Sequence, residues 1–359
     1  MSAPQTTIPA LLSVKDLRVH FQIRDSGAWP WSPPRVLKAV DGVSFELRAG
    51  ETLGIVGESG CGKSTLARAL LNLVPLTDGS VVWHGDEMRG ASAQAWQAKR
   101  RAVQMIFQDP LASLDPRMTV AQIIGEPLHT HCPELSTAEH NERVLAMMQR
   151  VGLTAQQINR YAHEFSGGQC QRIGIARALI LKPQVVICDE PVSALDVSIQ
   201  AQIINLLKEL QAEMGLALVF IAHDLAVVKH ISQRVMVMYL GRAMEVASKH
   251  ALYDTPHHPY TKALLAAIPV PDPRIERGKV LQLLQGELPS PINPPSGCVF
   301  RTRCPKALAQ CAQAIPPLRQ VAAQSPVFST DCAASVSSQQ SVRLRSLALL
   351  ERCRTAVSA

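Results

Sequence analysis

From Leu11 to Phe21 apolar residues fall close to every second position (Leu12, Val14, Leu17, Val19, Phe21), which predicts a strand with one buried face. Val40 to Leu47 repeats the alternation through Val43, Phe45 and Leu47 and predicts its neighbour. Between them, Ile23 to Arg35 carries Gly27, Trp29, Pro30, Trp31, Pro33 and Pro34, the composition of a loop in a hairpin-like connection. Its tryptophans either fold back on their own sheet or dock a partner. A central strand is expected at Thr52 to Val56, then a turn through glycines and a helix from Lys63 to Leu73. Met118 to Tyr161 has a helical pattern, with Ser136 and Glu139 spaced as a capping box ahead of the amphipathic Val144 to Val151. Strands return at Gln184–Cys188, Leu216–Ala222 and Arg234–Tyr239, with helices at Gln169–Leu181 and Ile199–Met214 between them. Strands alternating with helices imply an α/β fold with a parallel sheet and right-handed crossovers.

Composition agrees with this outline. Hydrophobic residues make up 47% of the 359 and aromatics only 4%, the balance of buried aliphatic strands under helices. Beyond Asp254 prolines become frequent and the strand–helix rhythm breaks, so a second, smaller unit is expected there. From Ala333 the chain is rich in Ser, Gln and Ala and ends with Arg343, Arg345, Arg352 and Arg354 among leucines, a basic amphipathic helix or a frayed tail. The longest strongly apolar stretch, Gly215 to Ala222, stops at His223 and Asp224, far short of the roughly 18 to 20 residues that span a bilayer. Met1 to Leu12 lacks the pattern of a secretory signal, so the chain is expected in the cytoplasm with its nine cysteines reduced. A net charge of +7 fits nucleic acid, anionic lipid, a nucleotide or an ordinary solvated surface, and does not choose among them.

The motifs do choose. Gly57, Glu58, Ser59, Gly60, Cys61, Gly62, Lys63 and Ser64, followed by Thr65, fit G-x-x-x-x-G-K-[ST] between a predicted strand and a predicted helix. Glycines let backbone N–H groups close around phosphate oxygens, and the helix start adds positive potential. Lys63 is expected on the β and γ phosphates and Ser64 on Mg²⁺. Val185 to Cys188 forms an apolar strand that delivers Asp189 and Glu190 at its C-terminal end, where ligands bind in open α/β sheets. Asp189 is the expected Mg²⁺ holder and Glu190 the expected general base.

Phe165, Ser166, Gly167, Gly168 and Gln169, placed before a helix and ahead of the Asp-Glu strand, resemble the signature that marks ABC ATPases among P-loop enzymes. The resemblance implies that Ser166, Gly167, Gly168 and Gln169 contact the nucleotide held by an opposite subunit. Gln108, within Phe107-Gln108-Asp109-Pro110, resembles the Q-loop glutamine, which contacts the metal or water and links the site to the membrane subunit. Ser193, Ala194, Leu195 and Asp196 resemble the D-loop between two ATPases, and His223 the switch histidine near the γ-phosphate. Phe21 is the candidate for stacking on adenine. The resemblance narrows to ATPases of peptide importers, and among these the oligopeptide permease type, through Asp189–Asn205, His223–Gly241, His258-Pro259-Tyr260-Thr261 and Gly286–Pro305. It covers about Leu11 to Cys332.

The resemblance implies an α/β P-loop fold of the ABC type, with an antiparallel β edge, a parallel core sheet, a helical insert and a small C-terminal Pro/Cys-rich extension. The expected organisation is an arm at 1–10, the nucleotide-binding domain at 11–254 with its helical subdomain at about 110–180, an extension at 255–335 and a tail at 336–359. It implies an ATPase using ATP and Mg²⁺, paired with a second ATPase subunit, a paralogue or an identical copy. Two transmembrane permease subunits and a periplasmic or extracellular peptide-binding protein complete the expected complex, on the cytoplasmic side of the bacterial inner membrane. The cargo is oligopeptides, with murein peptides among the candidates, and dipeptides or nickel as the alternative. A soluble ABC ATPase acting on DNA or ribosomes is the rival from another class, and the single cassette without a long inserted coiled coil speaks against it, so no nucleic-acid partner is expected. Cys298, Cys304, Cys311 and Cys332, with five, six and twenty residues between them, match no short zinc-finger spacing. The resemblance brings in a [4Fe-4S] cluster there; zinc and no metal stay open beside it.

Overall fold

A computed structural model of the chain describes residues 10–24, 29, 31, 33–269, 272, 274, 284, 286–321 and 327–330. Two long strands, β1 (Ala10–Ile23) and β2 (Arg35–Arg48), pair antiparallel with Leu17 opposite Val43 and Phe21 opposite Leu37. The buried face of β1 passes from even positions (Leu12, Val14) to odd ones (Leu17, Val19). A register shift between Val14 and Leu17, with Asp16 at φ 47°, lets the strand keep one face on the core through that change. Trp29 and Trp31 are 68% and 76% exposed and stack on each other with centroids 5.1 Å apart, so neither folds back on the sheet.

After β3 (Thr52–Val56), helix α1 (Lys63–Leu70) ends before the expected Leu73. Asn72 turns to φ 55°, and Trp83 Nε1 donates to the Leu70 carbonyl at 3.2 Å, taking up an acceptor that the ended helix leaves over. Strands β4 (Asp78–Trp83) and β5 (Asp86–Glu87) complete an antiparallel sheet of order β2-β1-β4-β5. Helix α2 (Ala93–Arg100) then leads into β6 (Val103–Ile106).

The helical stretch expected over Met118 to Tyr161 divides into α3 (Val120–His131) and α4 (Thr137–Arg150), with Pro133 in the break. Both begin with reciprocal capping boxes, Thr119 with Gln122 and Ser136 with Glu139. Helix α5 (Gly167–Leu179) packs beside α3 and α4.

Five parallel strands form the sheet that carries the site: β3 and β6 are joined by β7 (Val185–Asp189), then, after α6 (Val197–Met214), β8 (Ala217–Ile221), and, after α7 (Leu225–Ile231), β9 (Arg234–Tyr239). Their order is β9-β3-β8-β7-β6, and every residue of β3, β7 and β8 is buried, as unbroken runs such as Val185-Val186-Ile187-Cys188 require when both faces are covered. Among the described residues no helix is long and apolar enough to cross a membrane.

Ala243–Ala359 forms a second compact unit. It holds most of β10 (Arg242–Ser248), then α8 (Lys249–Asp254), α9 (Pro259–Ala266), β11 (Arg319–Gln320) and β12 (Phe328–Ser329), with Glu245 opposite Ser329. Glu245 is fully buried and accepts from the His257 and His258 amides, both at 2.9 Å, while His258 Nδ1 accepts from the Tyr260 amide and caps α9. The first nine residues of the expected arm, Cys332, Cys353 and the tail at 336–359 with its arginines lie outside the described residues.

Candidate functional site

Gly57 to Ser64 joins β3 to α1 in the predicted strand–loop–helix order. The N-cap of α1 is Gly62, at φ 104° and without a side-chain cap. A Cβ there would overlap the Ala39 carbonyl oxygen of β2, so both the conformation and the close approach demand glycine. Lys63 is 4% exposed; its ammonium donates to the Gly57 carbonyl at 2.8 Å and the Glu58 carbonyl at 3.1 Å. Burial pushes the Cys61 and Cys188 thiols up, so both are neutral packing groups rather than nucleophiles.

Strand β7 delivers its two acids to this loop. Ser64 Oγ donates to Asp189 Oδ1 at 2.8 Å. Burial pushes the Asp189 carboxyl up, and the charge of Glu190 adds to this, while the Ser64 hydrogen bond and the charges of Arg68 and Lys63 oppose it. A hydroxyl, a carboxylate and the amide oxygen of Gln108 are hard donors of the type Mg²⁺ takes, and the direct Ser64–Asp189 contact brings two of them to one point.

Glu190 is the hub. Oε2 accepts from Gln108 Nε2 at 3.1 Å and lies 3.5 Å from His223 Nδ1, and Oε1 lies 3.9 Å from Lys63 Nζ. Its backbone is at φ 44°, which costs a non-glycine residue of order 1 kcal/mol or more. Three hydrogen bonds hold it there: its amide donates to the Ile221 carbonyl at 3.0 Å, and its carbonyl accepts from the Ser193 amide and hydroxyl at 3.3 and 3.1 Å. Thus Lys63, Gln108, Glu190 and His223, scattered through the sequence, meet at one carboxylate.

The signature turn forms a second cluster. Ser166 Oγ accepts from the Gln169 amide, and Gln169 Oε1 accepts from the Ser166 amide at 3.0 Å. A Cβ at Gly167 would stand 3.4 Å from Leu195 Cδ2, and one at Gly168 only 2.6 Å from Ile199 Cγ2, so Gly168 allows α5 to begin against the start of α6. Ser193 to Asp196 therefore lies between the two clusters, bonded to Glu190 at one end and packed on the signature turn at the other. Phe21 sits half-buried near the end of β1, opposite Leu37.

Two further features flank the motifs. A cleft of about 1170 Å³ opens beside Gln108, lined by Arg68, Phe107, Asp109, Glu126 and Arg177 among others. Arg177 lies over the Phe107 ring at 5.9 Å and donates to the Ser113 carbonyl at 2.6 Å. The second is a charge cluster around Asp41, whose partners are far away in sequence. In the second unit, Cys298 and Cys311 are buried and, with Cys304, line one small cavity. Among the described residues no three His, Cys, Asp or Glu side chains are arranged to hold a metal ion; Cys332, the fourth candidate ligand, lies outside the described residues.

Known proteins share both parts of this chain. The ABC transporter family profile matches residues 40–193, and the profile of the oligopeptide/dipeptide transporter C-terminal region matches 244–311. The oligopeptide transport ATP-binding protein OppF of Escherichia coli (strain K12) is 65% identical over 308 residues, 86% of this chain and 92% of the relative. The putative oligopeptide transport ATP-binding protein YkfD of Bacillus subtilis (strain 168) is 55% identical over 314 residues, 87% of this chain and 92% of the relative. Among solved structures, the dimeric bacterial ABC transporter cassette MJ0796 superposes with a TM-score of 0.59 at 26% identity, covering 66% of this chain and 98% of that one.

Proposed function

This chain belongs to the ATP-binding subunits of ABC peptide importers, and from that premise we propose that it hydrolyses MgATP to energise the import of oligopeptides. The observation that carries the reading is the convergence of Lys63, Gln108 and His223 on Glu190, a carboxylate held at a left-handed backbone position beside the phosphate loop. In the proposed step a water attacks the γ-phosphorus, Glu190 takes a proton from it, and the bond to the β-phosphate oxygen breaks to leave ADP and phosphate. Gln108 and His223 orient the Glu190 carboxylate and that water. Lys63 turns from the loop carbonyls to the β and γ oxygens, and the loop amides and first turn of α1, Gly57 to Thr65, enclose the phosphates. Ser64 and Asp189, with Gln108, would hold Mg²⁺, which supplies charge neutralisation on the β and γ oxygens when bound. Phe21 is assigned to the adenine face.

The paired cluster is assigned to the nucleotide of a second ATPase subunit, a paralogue: Ser166, Gly167, Gly168 and Gln169 touch its γ-phosphate, and Ser193, Ala194, Leu195 and Asp196 form the contact between subunits. The similarity to MJ0796, which is a dimeric cassette, supports this arrangement. The cleft beside Gln108 is assigned to a segment of one of two transmembrane permease subunits, because Gln108 lines it and also binds Glu190. That places the chain peripherally, on the cytoplasmic side of the inner membrane, with a peptide-binding protein engaged through the complex. A [4Fe-4S] centre on Cys298, Cys304, Cys311 and Cys332 is kept as a question of composition: iron and acid-labile sulfide in anaerobically purified protein support it, and the absence of both rejects it.

Reconstitution tests the whole reading. The assembled complex should hydrolyse ATP faster with an oligopeptide-loaded binding protein than with the unloaded one; stimulation by dipeptide or nickel carriers alone would contradict the cargo.

A further inference from the structure

Asp41 is 9% exposed on β2, yet none of the motifs includes it. Its carboxylate is hydrogen-bonded by the Arg242 guanidinium, lies 3.1 Å from His20 Nε2 and stands 3.9 Å from Arg18 Nε. Its backbone N–H donates to the Gly241 carbonyl at 2.8 Å, and the Gly241 N–H in turn donates to the Cys61 carbonyl at 2.8 Å. Leu240 and Gly241 form a left-handed turn, at φ 43° and 75°, between β9 and β10. Ala39, two residues before Asp41, presents the carbonyl on which Gly62 closes. The outer wall of the phosphate loop at Cys61 and Gly62 is therefore this one strand and this one turn. The Asp41–Arg242 ion pair ties the strand to the residue that follows the turn. His20 carries the same tie to β1, next to Phe21.

Phosphate binding by a loop depends on amides held in one orientation, and small displacements of such groups are costly. We infer that Asp41, with Arg242 as its partner, is a positioning residue that clamps the Leu240–Gly241 turn against Cys61 and so sets the phosphate loop for MgATP. The inference rests on the proposed MgATP site and goes beyond it by assigning a residue outside all of its motifs.

The test uses the full chain and isothermal calorimetry with MgATP, together with melting temperatures with and without MgATP. Asp41→Asn keeps the side-chain shape and removes the charge. The Kd for MgATP should rise about 10-fold, equivalent to about 1.4 kcal/mol, and the melting shift caused by MgATP should shrink with it. Arg242→Gln should do the same, and it carries the test alone if Asp41→Asn does not fold. The double variant should bind like either single one, because both remove one clamp. A Kd within about twofold of the wild type in the folded variants, with melting lowered equally in both conditions, would make the cluster merely structural and overturn the inference. A double variant weakened by the product of the single effects would overturn the pairing. A wild-type chain that binds no MgATP would overturn the site reading and this inference together.

Discussion

Two helix starts in the same unit are finished in opposite ways. Helix α1 begins at Gly62 with no side-chain cap and with the buried ammonium of Lys63 beneath the loop. Helix α5 begins at Ser166, whose hydroxyl and whose partner Gln169 close the first turn reciprocally. An uncapped start with a cation is shaped for an anion that the chain itself grips. A capped start is stable without a ligand, and its serine hydroxyl and flanking glycines can be offered to an anion brought by another subunit. On the proposed reading, the difference separates a helix start that grips this chain's own nucleotide from one that is lent to the nucleotide of a second subunit.

The largest effect expected from breaking this contrast is at Lys63. Lys63→Ala should weaken MgATP binding to the isolated chain by about 100-fold, since it removes charge-assisted hydrogen bonds to phosphate. Ser166→Ala should leave that affinity within about twofold while lowering turnover of the assembled complex by at least about 10-fold, as loss of one transition-state donor does. Equal loss of binding in both variants, measured by calorimetry, would erase the distinction between gripped and lent sites. Gln169→Ala removes one arm of the capping box and should cost about 1 kcal/mol of stability in a denaturant titration, with MgATP affinity unchanged.

The smallest effect concerns acid. Burial works to raise the Asp41 carboxyl, but Arg242 and His20 outweigh it and hold the group below its ordinary value of 3.8. A depressed carboxyl contributes fully above its unfolded value and loses that contribution as pH falls through the folded one. The stability gap between the wild type and Asp41→Asn should thus narrow only below about pH 4.

Legibility in the sequence followed contiguity. Gly57 to Ser64 and Ser166 to Gln169 are short contiguous runs whose pattern is recognisable without the fold, although the contacts that demand Gly62 and Gly168, the Ala39 carbonyl and the Ile199 side chain, are not. Glu190 was legible as an acid at a strand end, but its left-handed backbone was not, because that conformation is enforced by Ile221 and Ser193. Asp41 and Arg242 are 201 positions apart and meet only through the sheet. The strands β4 and β6 went unmarked for a different reason: Asp78-Gly79 opens β4 with turn residues, and β6 is four residues long behind Arg100 and Arg101. For the tryptophans of the β1–β2 connection the sequence leaves two readings open, folded back on the sheet or free to dock a partner, and the structure leaves both in solvent.

In the proposed mechanism Glu190 is the base, with Lys63, Gln108 and His223 gathered around its carboxylate. The most direct test is Glu190→Gln, which keeps the shape and the contact with Gln108 while removing the proton acceptor. MgATP affinity should stay within about threefold of the wild type while steady-state turnover falls by about 1000-fold. Turnover near the wild-type rate in that variant would contradict the assignment.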